Sequence, residues 1–199
     1  LSATARPRYQ DPFRPLLPDV TVVPFGDFAV AAGAIDETVG LVLVEPVQGE
    51  GGMRPAPDGW LAALRELCDD SGALLVFDEV QSGMGRTGTL FAYQAAGIMP
   101  DAVTTAKALA GGLPMGALLA RGEAAAAFEP GDHASTFGGG PLVASVANAV
   151  LEVILADGFL EEVRAKGERL CAGLEMVVAG SSLAQAVRGT GLMLGVVLN

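Results

Sequence analysis

Hydrophobic and polar positions along the chain fall into two alternating kinds of block. Short apolar runs bounded by Gly, Pro or acidic residues read as buried strands: Gly40 to Val44, Ala73 to Phe77, Ala102 to Thr105 and Met115 to Ala120. Between them the apolar residues recur at helical spacing. Trp60, Leu61, Leu64, Leu67 and Cys68 predict a helix over about Pro57 to Ser71, capped by Asp58 and stopped by Gly72. A short helix to about Ala96, a small one at 122–128, and two long ones, Leu142 to Ala156 and Phe159 to Val178, continue the pattern. Val20 to Pro24 reads as a further short strand, and the proline-rich residues 1–19 as an extended connector. Ala184 to Arg188 and Leu192 to Leu198 look like two strands of a different sheet.

Strands that alternate with helices predict an α/β fold with a mostly parallel central sheet and helices on both faces. Residues 1–156 read as that large domain, and 157–199 as an interdomain helix and the start of a small α+β domain. In an open α/β sheet, ligands bind beyond the carboxyl ends of the strands. Here one apolar run delivers Asp78 to such an end, and another delivers Lys107 just past its own, 29 positions later. A lysine and a carboxylate over one crevice are what pyridoxal phosphate (PLP) chemistry needs: a Schiff-base amine and an anionic partner for the pyridinium nitrogen. Lys107 sits among Ala, Leu and Gly with no carboxylate within five positions. Apolar company disfavours its ammonium form and favours a nucleophilic amine. The competing reading is a surface lysine at a strand end.

Composition narrows the classes. The formal net charge of −11 argues against nucleic acid or an anionic membrane surface as partner, because both demand clustered Lys and Arg. No apolar run approaches the ~18 residues of a membrane span, and no basic-then-apolar leader opens the chain. A cytoplasmic setting is the default. Cys68 and Cys171 are too few and too far apart for a disulfide scaffold or a zinc site, and read as buried, reduced thiols on helices. The run LLVFDEV alone also describes a Walker B strand, but no G-x-x-x-x-G-K-[ST] loop lies in the 199 residues to hold a nucleotide's phosphates.

Four segments in order, VEPVQGEGG, FDEVQSGMGRTG, AKALAGGLPMGA and FEPGDHASTFGGGP, resemble the class III (ornithine-type) PLP-dependent aminotransferases, as does the early PRYQDPFRPLLPD. The resemblance spans essentially the whole chain. It implies the fold type I large domain and a homodimer, with amino-acid and 2-oxo-acid substrates. An ω-amino donor such as N-acetylornithine would give its amino group to 2-oxoglutarate, as in arginine biosynthesis. Ornithine, 4-aminobutyrate or succinylornithine as donor, or glutamate-semialdehyde aminomutase chemistry, stay open. Lys107 would form the Schiff base and shuttle the proton, and Asp78 would face the pyridine nitrogen. Val80 would pack on the ring face and Gln81 would bond near its phenolic oxygen. Glu50 would gate the substrate-carboxylate site, or else is a glycine-flanked turn carboxylate. Ser135 and Thr136 would reach the PLP phosphate of the neighbouring subunit. Glu79 would point away and fill a structural role. His133 is set aside as structural, and Arg86 reads as a loop brace in preference to a substrate ligand.

The chain departs from the family pattern in two places. HAST carries Ala134 where a glycine is usual, which would be strained if that position needs a positive φ. Gly139-Gly140-Pro141 lacks the usual asparagine. The family's N-terminal phosphate cup, its ring-stacking aromatic and its carboxylate-binding arginine have no counterpart in these residues. The chain therefore reads as a central piece of a longer protein, inactive alone. A non-catalytic remnant kept as a dimerisation module is the reading from another class.

Overall fold

The computed structural model describes residues 1–199. Its centre is a four-stranded sheet of β1 (Leu41–Val44), β4 (Leu74–Asp78), β5 (Ala102–Thr105) and β6 (Ala117–Ala120), in the order β1-β4-β5-β6. β1, β4 and β5 run parallel; β6 lies antiparallel on β5. The fold is thus α/β with a mixed, mostly parallel sheet. Asp78 is the register partner of Thr104, so β4 and β5 finish side by side. That alignment puts the two chemistry-bearing strand ends at one edge.

Between β1 and β4 come a two-stranded ribbon, β2 (Val47–Gln48) with β3 (Arg54–Pro55), and the helix α3 (Trp60–Ser71). The apolar stripe of α3 buries Trp60, Leu61, Leu64 and Cys68 against Leu75, Phe77 and Val103 of the sheet. Phe25 meets Trp60 edge-on at 4.9 Å. Burial pushes the Cys68 thiol up to about 11, as suits an inert core thiol. Gly72, at φ +79°, ends α3 as expected, but the helix begins later than its periodicity suggested. Its N-cap is Gly59 at φ +75° with no side-chain cap, so Asp58 lies outside the capping position.

Asp101 ties three elements together at the entry to β5. Its carboxylate accepts from Arg65 of α3 at 2.6 Å and from Leu75 N of β4 at 2.8 Å, with Arg121 at 3.8 Å. Burial opposes ionisation here, but the Arg65 and Leu75 hydrogen bonds outweigh it and hold the Asp101 carboxyl below its usual range.

After β6 come α4 (Gly122–Ala126), α5 (Pro141–Ile154) and α6 (Phe159–Ala179). A separate hairpin, β7 (Ala184–Thr190) with β8 (Met193–Leu198), closes the chain, as its apolar runs predicted. No single helix is long and apolar enough to cross a membrane. Four features correct the sequence reading. Residues 20–24 join no sheet, because nothing pairs with them and Pro24 offers no N–H. The N-terminal connector holds a helical turn, α1 (Pro7–Gln10), with a 3₁₀ turn at Asp11–Phe13. A further helix, α2 (Phe28–Ala34), is capped by Asp27, whose side chain accepts from Val30 N. Cys171 is half-buried rather than buried.

Candidate active site

Two strand ends define the site. Asp78 closes β4, and its Oδ1 accepts from Val80 N at 3.0 Å and from Thr104 Oγ1 at 3.3 Å. Its Oδ2 has no partner and stays open to solvent. β5 ends at Thr105, and Lys107 starts a 3₁₀ turn, Lys107–Ala110, from a left-handed backbone at φ +47°. For a residue with a Cβ that conformation costs roughly 1–2 kcal/mol, and such outliers gather at functional sites. The Lys107 amine donates to Gln81 Oε1 at 3.3 Å.

The expectation of an apolar enclosure around Lys107 does not hold. Its side chain is exposed. Leu109 and Ala110 of the same turn do go inward, packing with Met84, Ala147 and Ile154 under α5. The apolar neighbours in sequence serve that second core, and the lysine faces the other way.

The loop after Asp78 is held by a buried carboxylate. Glu79 is fully buried, and it accepts from Ser82 Oγ at 2.8 Å, Ala92 N at 2.9 Å and Tyr93 N at 2.8 Å. Burial raises its pKa, and the three donors and the nearby Asp78 charge modify that shift without reversing it. Glu79 thereby closes residues 79–93 into one unit, which is the structural role expected of it. Outside contacts pin the same loop. Leu192 N donates to Arg86 O at 3.0 Å, and Arg164 of α6 donates to Gly88 O. Gly191, at φ +55°, lies so close that a Cβ there would meet the Thr87 backbone at 2.7 Å.

A half-open cavity of about 350 Å³ lies over this unit, with Val80, Gln81, Arg86 and Lys107 in its wall. Met53 and Leu192 to Leu194 of the hairpin complete it. A broader depression of about 690 Å³ sits at the α5–α6 elbow, but Glu152, Asp157 and Glu162 line it with no amine or nucleophile. The chemistry belongs to the smaller one. Its wall carries two cations and no carboxylate, despite the acidic chain.

The remaining expected residues stand at different distances from this centre. The turn carrying Glu50 touches it through Gly49, where a Cβ would fall 1.9 Å from Gln81 Oε1. Glu50 itself is exposed; its backbone carbonyl accepts from Arg6, and its carboxylate has no hydrogen-bond partner. Ser135 and Thr136 lie on the exposed loop 129–140, where Ser135 Oγ only accepts from Gly138 N at 3.0 Å. Neither touches Lys107 or Asp78. Ala134 adopts no positive φ, so the feared strain at the glycine position is absent. Arg86 braces the loop through its backbone, yet its side chain is exposed at the cavity wall, a placement its motif did not reveal. Thr104 went unnoticed because only strand register brings it to Asp78.

With this geometry in place, similarity to known proteins adds the family context. Residues 1–199 match the family described as aminotransferase class-III. An acetylornithine aminotransferase of Methanopyrus kandleri is 48% identical over 196 residues, covering 98% of this chain and 50% of the relative. That of Streptomyces coelicolor is 49% identical over 199 residues, covering 100% and 49%. The chain spans about half the length of the curated relatives it matches. Among solved structures, an ornithine aminotransferase of Toxoplasma gondii superimposes with a TM-score of 0.94 at 31% identity, over 100% of this chain and 47% of that one. An N-acetylornithine aminotransferase of Stenotrophomonas maltophilia gives 0.80 at 42% identity, over 89% and 46%.

Proposed function

We propose, for a chain that belongs to the class-III aminotransferases, that its strand-end site works in PLP-dependent transfer of an amino group from N-acetylornithine to 2-oxoglutarate. The observation that carries this reading is an exposed amine, Lys107, and a carboxylate, Asp78, at the ends of neighbouring strands, the carboxylate fixed through one oxygen and open at the other. That donor set suits PLP: an amine to hold an aldehyde, a free carboxylate oxygen to hold a protonated ring nitrogen, and an amide bonded to the amine. Bound PLP supplies an electron-withdrawing pyridinium that stabilises the electron pair left when a substrate Cα–H or Cω–H proton departs.

The chain's own groups would then divide the work. Lys107 would hold the cofactor through its Nζ, and its amine would take the proton from the substrate carbon and return it. Asp78 Oδ2 would accept a hydrogen bond from the ring nitrogen and keep it protonated. Val80 would support the ring face, and Gln81, bonded to the Lys107 amine, would also meet the ring's oxygen substituent. Glu50 meets substrate at the edge of the site. Ser135 and Thr136 would hold phosphate, and with no hydrogen bond to Lys107 or Asp78 here they suit the site of a neighbouring subunit in a homodimer. Residues 1–156 form the cofactor domain and 157–199 the start of a smaller one, in a cytoplasmic enzyme.

Identity favours acetylornithine over ornithine as donor: the sequence relatives near 48–49% carry the first name, whereas the ornithine enzyme of Toxoplasma gondii stands at 31%. Amino transfer to 2-oxoglutarate from N-acetylornithine, ornithine and 4-aminobutyrate, compared by kcat/KM in the PLP-loaded protein, tests this. The expected order puts N-acetylornithine first. A preference for ornithine would overturn the donor, and no transfer from any of the three would overturn the activity.

A further inference from the structure

We propose that Thr104 is a positioning residue for Asp78: its hydroxyl holds one carboxylate oxygen so that the other faces the ring nitrogen of the cofactor. The proposal rests on the PLP reading above.

Two adjacent threonines end β5, and their side chains point to opposite faces of the sheet. Thr105 is buried, and its hydroxyl has no hydrogen-bond partner. Thr104 is half-buried, and its hydroxyl donates to Asp78 Oδ1 at 3.3 Å. Its carbonyl accepts from Glu79 N at 3.0 Å. Thr104 therefore grips the end of β4 twice, through the backbone just beyond Asp78 and through the Asp78 side chain.

The consequence concerns aim. A carboxylate at a strand end rotates about two torsions, and one donor leaves it free to exchange its oxygens. Val80 N already donates to Oδ1 at 3.0 Å. A second donor on the same oxygen fixes which oxygen is engaged, and Oδ2 is left unpaired and open. Hydrogen bonding to one oxygen of a catalytic anion while the other meets its partner is how outer groups orient inner ones. The register pair Asp78–Thr104 gives this arrangement without any loop movement.

Thr104→Val keeps the shape and the strand preference and removes only the hydroxyl. Thr104→Ser keeps the hydroxyl. Thr105→Val supplies an internal control on the opposite face, where no partner is lost. The measurements are PLP affinity and the ¹⁵N chemical shift of ring-labelled PLP across pH, which reports protonation of the ring nitrogen. In Thr104→Val, affinity should fall roughly 3- to 10-fold, the loss of one hydrogen bond, and the nitrogen should lose its proton at a lower pH. Thr104→Ser and Thr105→Val should both track the unsubstituted protein. An unchanged nitrogen titration in Thr104→Val, or an equal change in Thr104→Ser or Thr105→Val, would overturn the proposal. If the unsubstituted protein binds no PLP, the PLP reading itself fails and takes the proposal with it.

Discussion

Two glycine-rich loops carry the expected functional residues, and they are built in opposite ways. Residues 79–93 turn on a fully buried glutamate with three donors, and α6 and the β7–β8 turn press on them from outside. Residues 129–140 are almost wholly exposed, with Phe137 at 89% exposure, and their hydrogen bonds stay local: Asp132 N to Glu129 O, Glu129 N to Asp132 Oδ2, and Gly138 N to Ser135 Oγ. Similar composition thus gives a pinned loop in one case and a loop held only by itself in the other. Tie points from elsewhere in the fold make the difference. The ring and lysine half of the proposed site is preorganised within this chain, and the proposed phosphate loop is not.

Substitutions can break that contrast, beginning with the largest effect. Lys107→Ala should lower amino transfer by roughly 10²- to 10⁴-fold, with thermal unfolding little changed because the side chain is exposed. Steady-state kinetics and a melting curve check the two halves. Glu79→Leu strips the pinned loop of its centre and leaves two buried amides unpaired. It should cost about 3 kcal/mol in chemical denaturation and weaken PLP binding as Gln81 loses its place. Gly191→Ala drives a Cβ against the Thr87 backbone at a positive φ. A loss of about 2 kcal/mol is expected, along with faster hydrogen exchange in 85–91.

Asp101→Asn sharpens the comparison by acting on the scaffold instead of either loop. It should cost about 1–2 kcal/mol near neutral pH. The sign of its pH dependence follows from the carboxyl being held below 3.8 in the folded protein. That share of stability is present above 3.8 and is lost as pH falls through the folded value. Denaturation midpoints down the acid range should therefore fall less steeply in the variant. Ser135→Ala, on the self-held loop, removes one exposed hydrogen bond and should change stability by less than about 0.5 kcal/mol. A larger loss would mean the loop is tied down after all.

The strand ends were legible in sequence because four-residue apolar runs bounded by Asp, Gly and Pro mark both ends of a buried strand. That rule placed Asp78 and Lys107, and the family resemblance then gave them roles. The surroundings of Lys107 were misjudged because local composition says nothing of direction: Leu109 and Ala110 turn into the core under α5 while Lys107 turns out. Asp58 was a reasonable cap by residue type, but Gly59 took the position through a left-handed backbone. Thr104 and the bracing of 85–91 depend on strand register and on a hairpin about a hundred residues away. Such contacts between distant segments leave no periodic trace.

The central claim is that Lys107 and Asp78 form one PLP site at the ends of β4 and β5. Incubation with PLP, borohydride reduction and peptide mapping test it most directly. The account predicts label on the Lys107 peptide, and much less of it in Asp78→Asn at limiting PLP. Label on Lys166, the only other lysine, or label on Lys107 indifferent to Asp78, would contradict it.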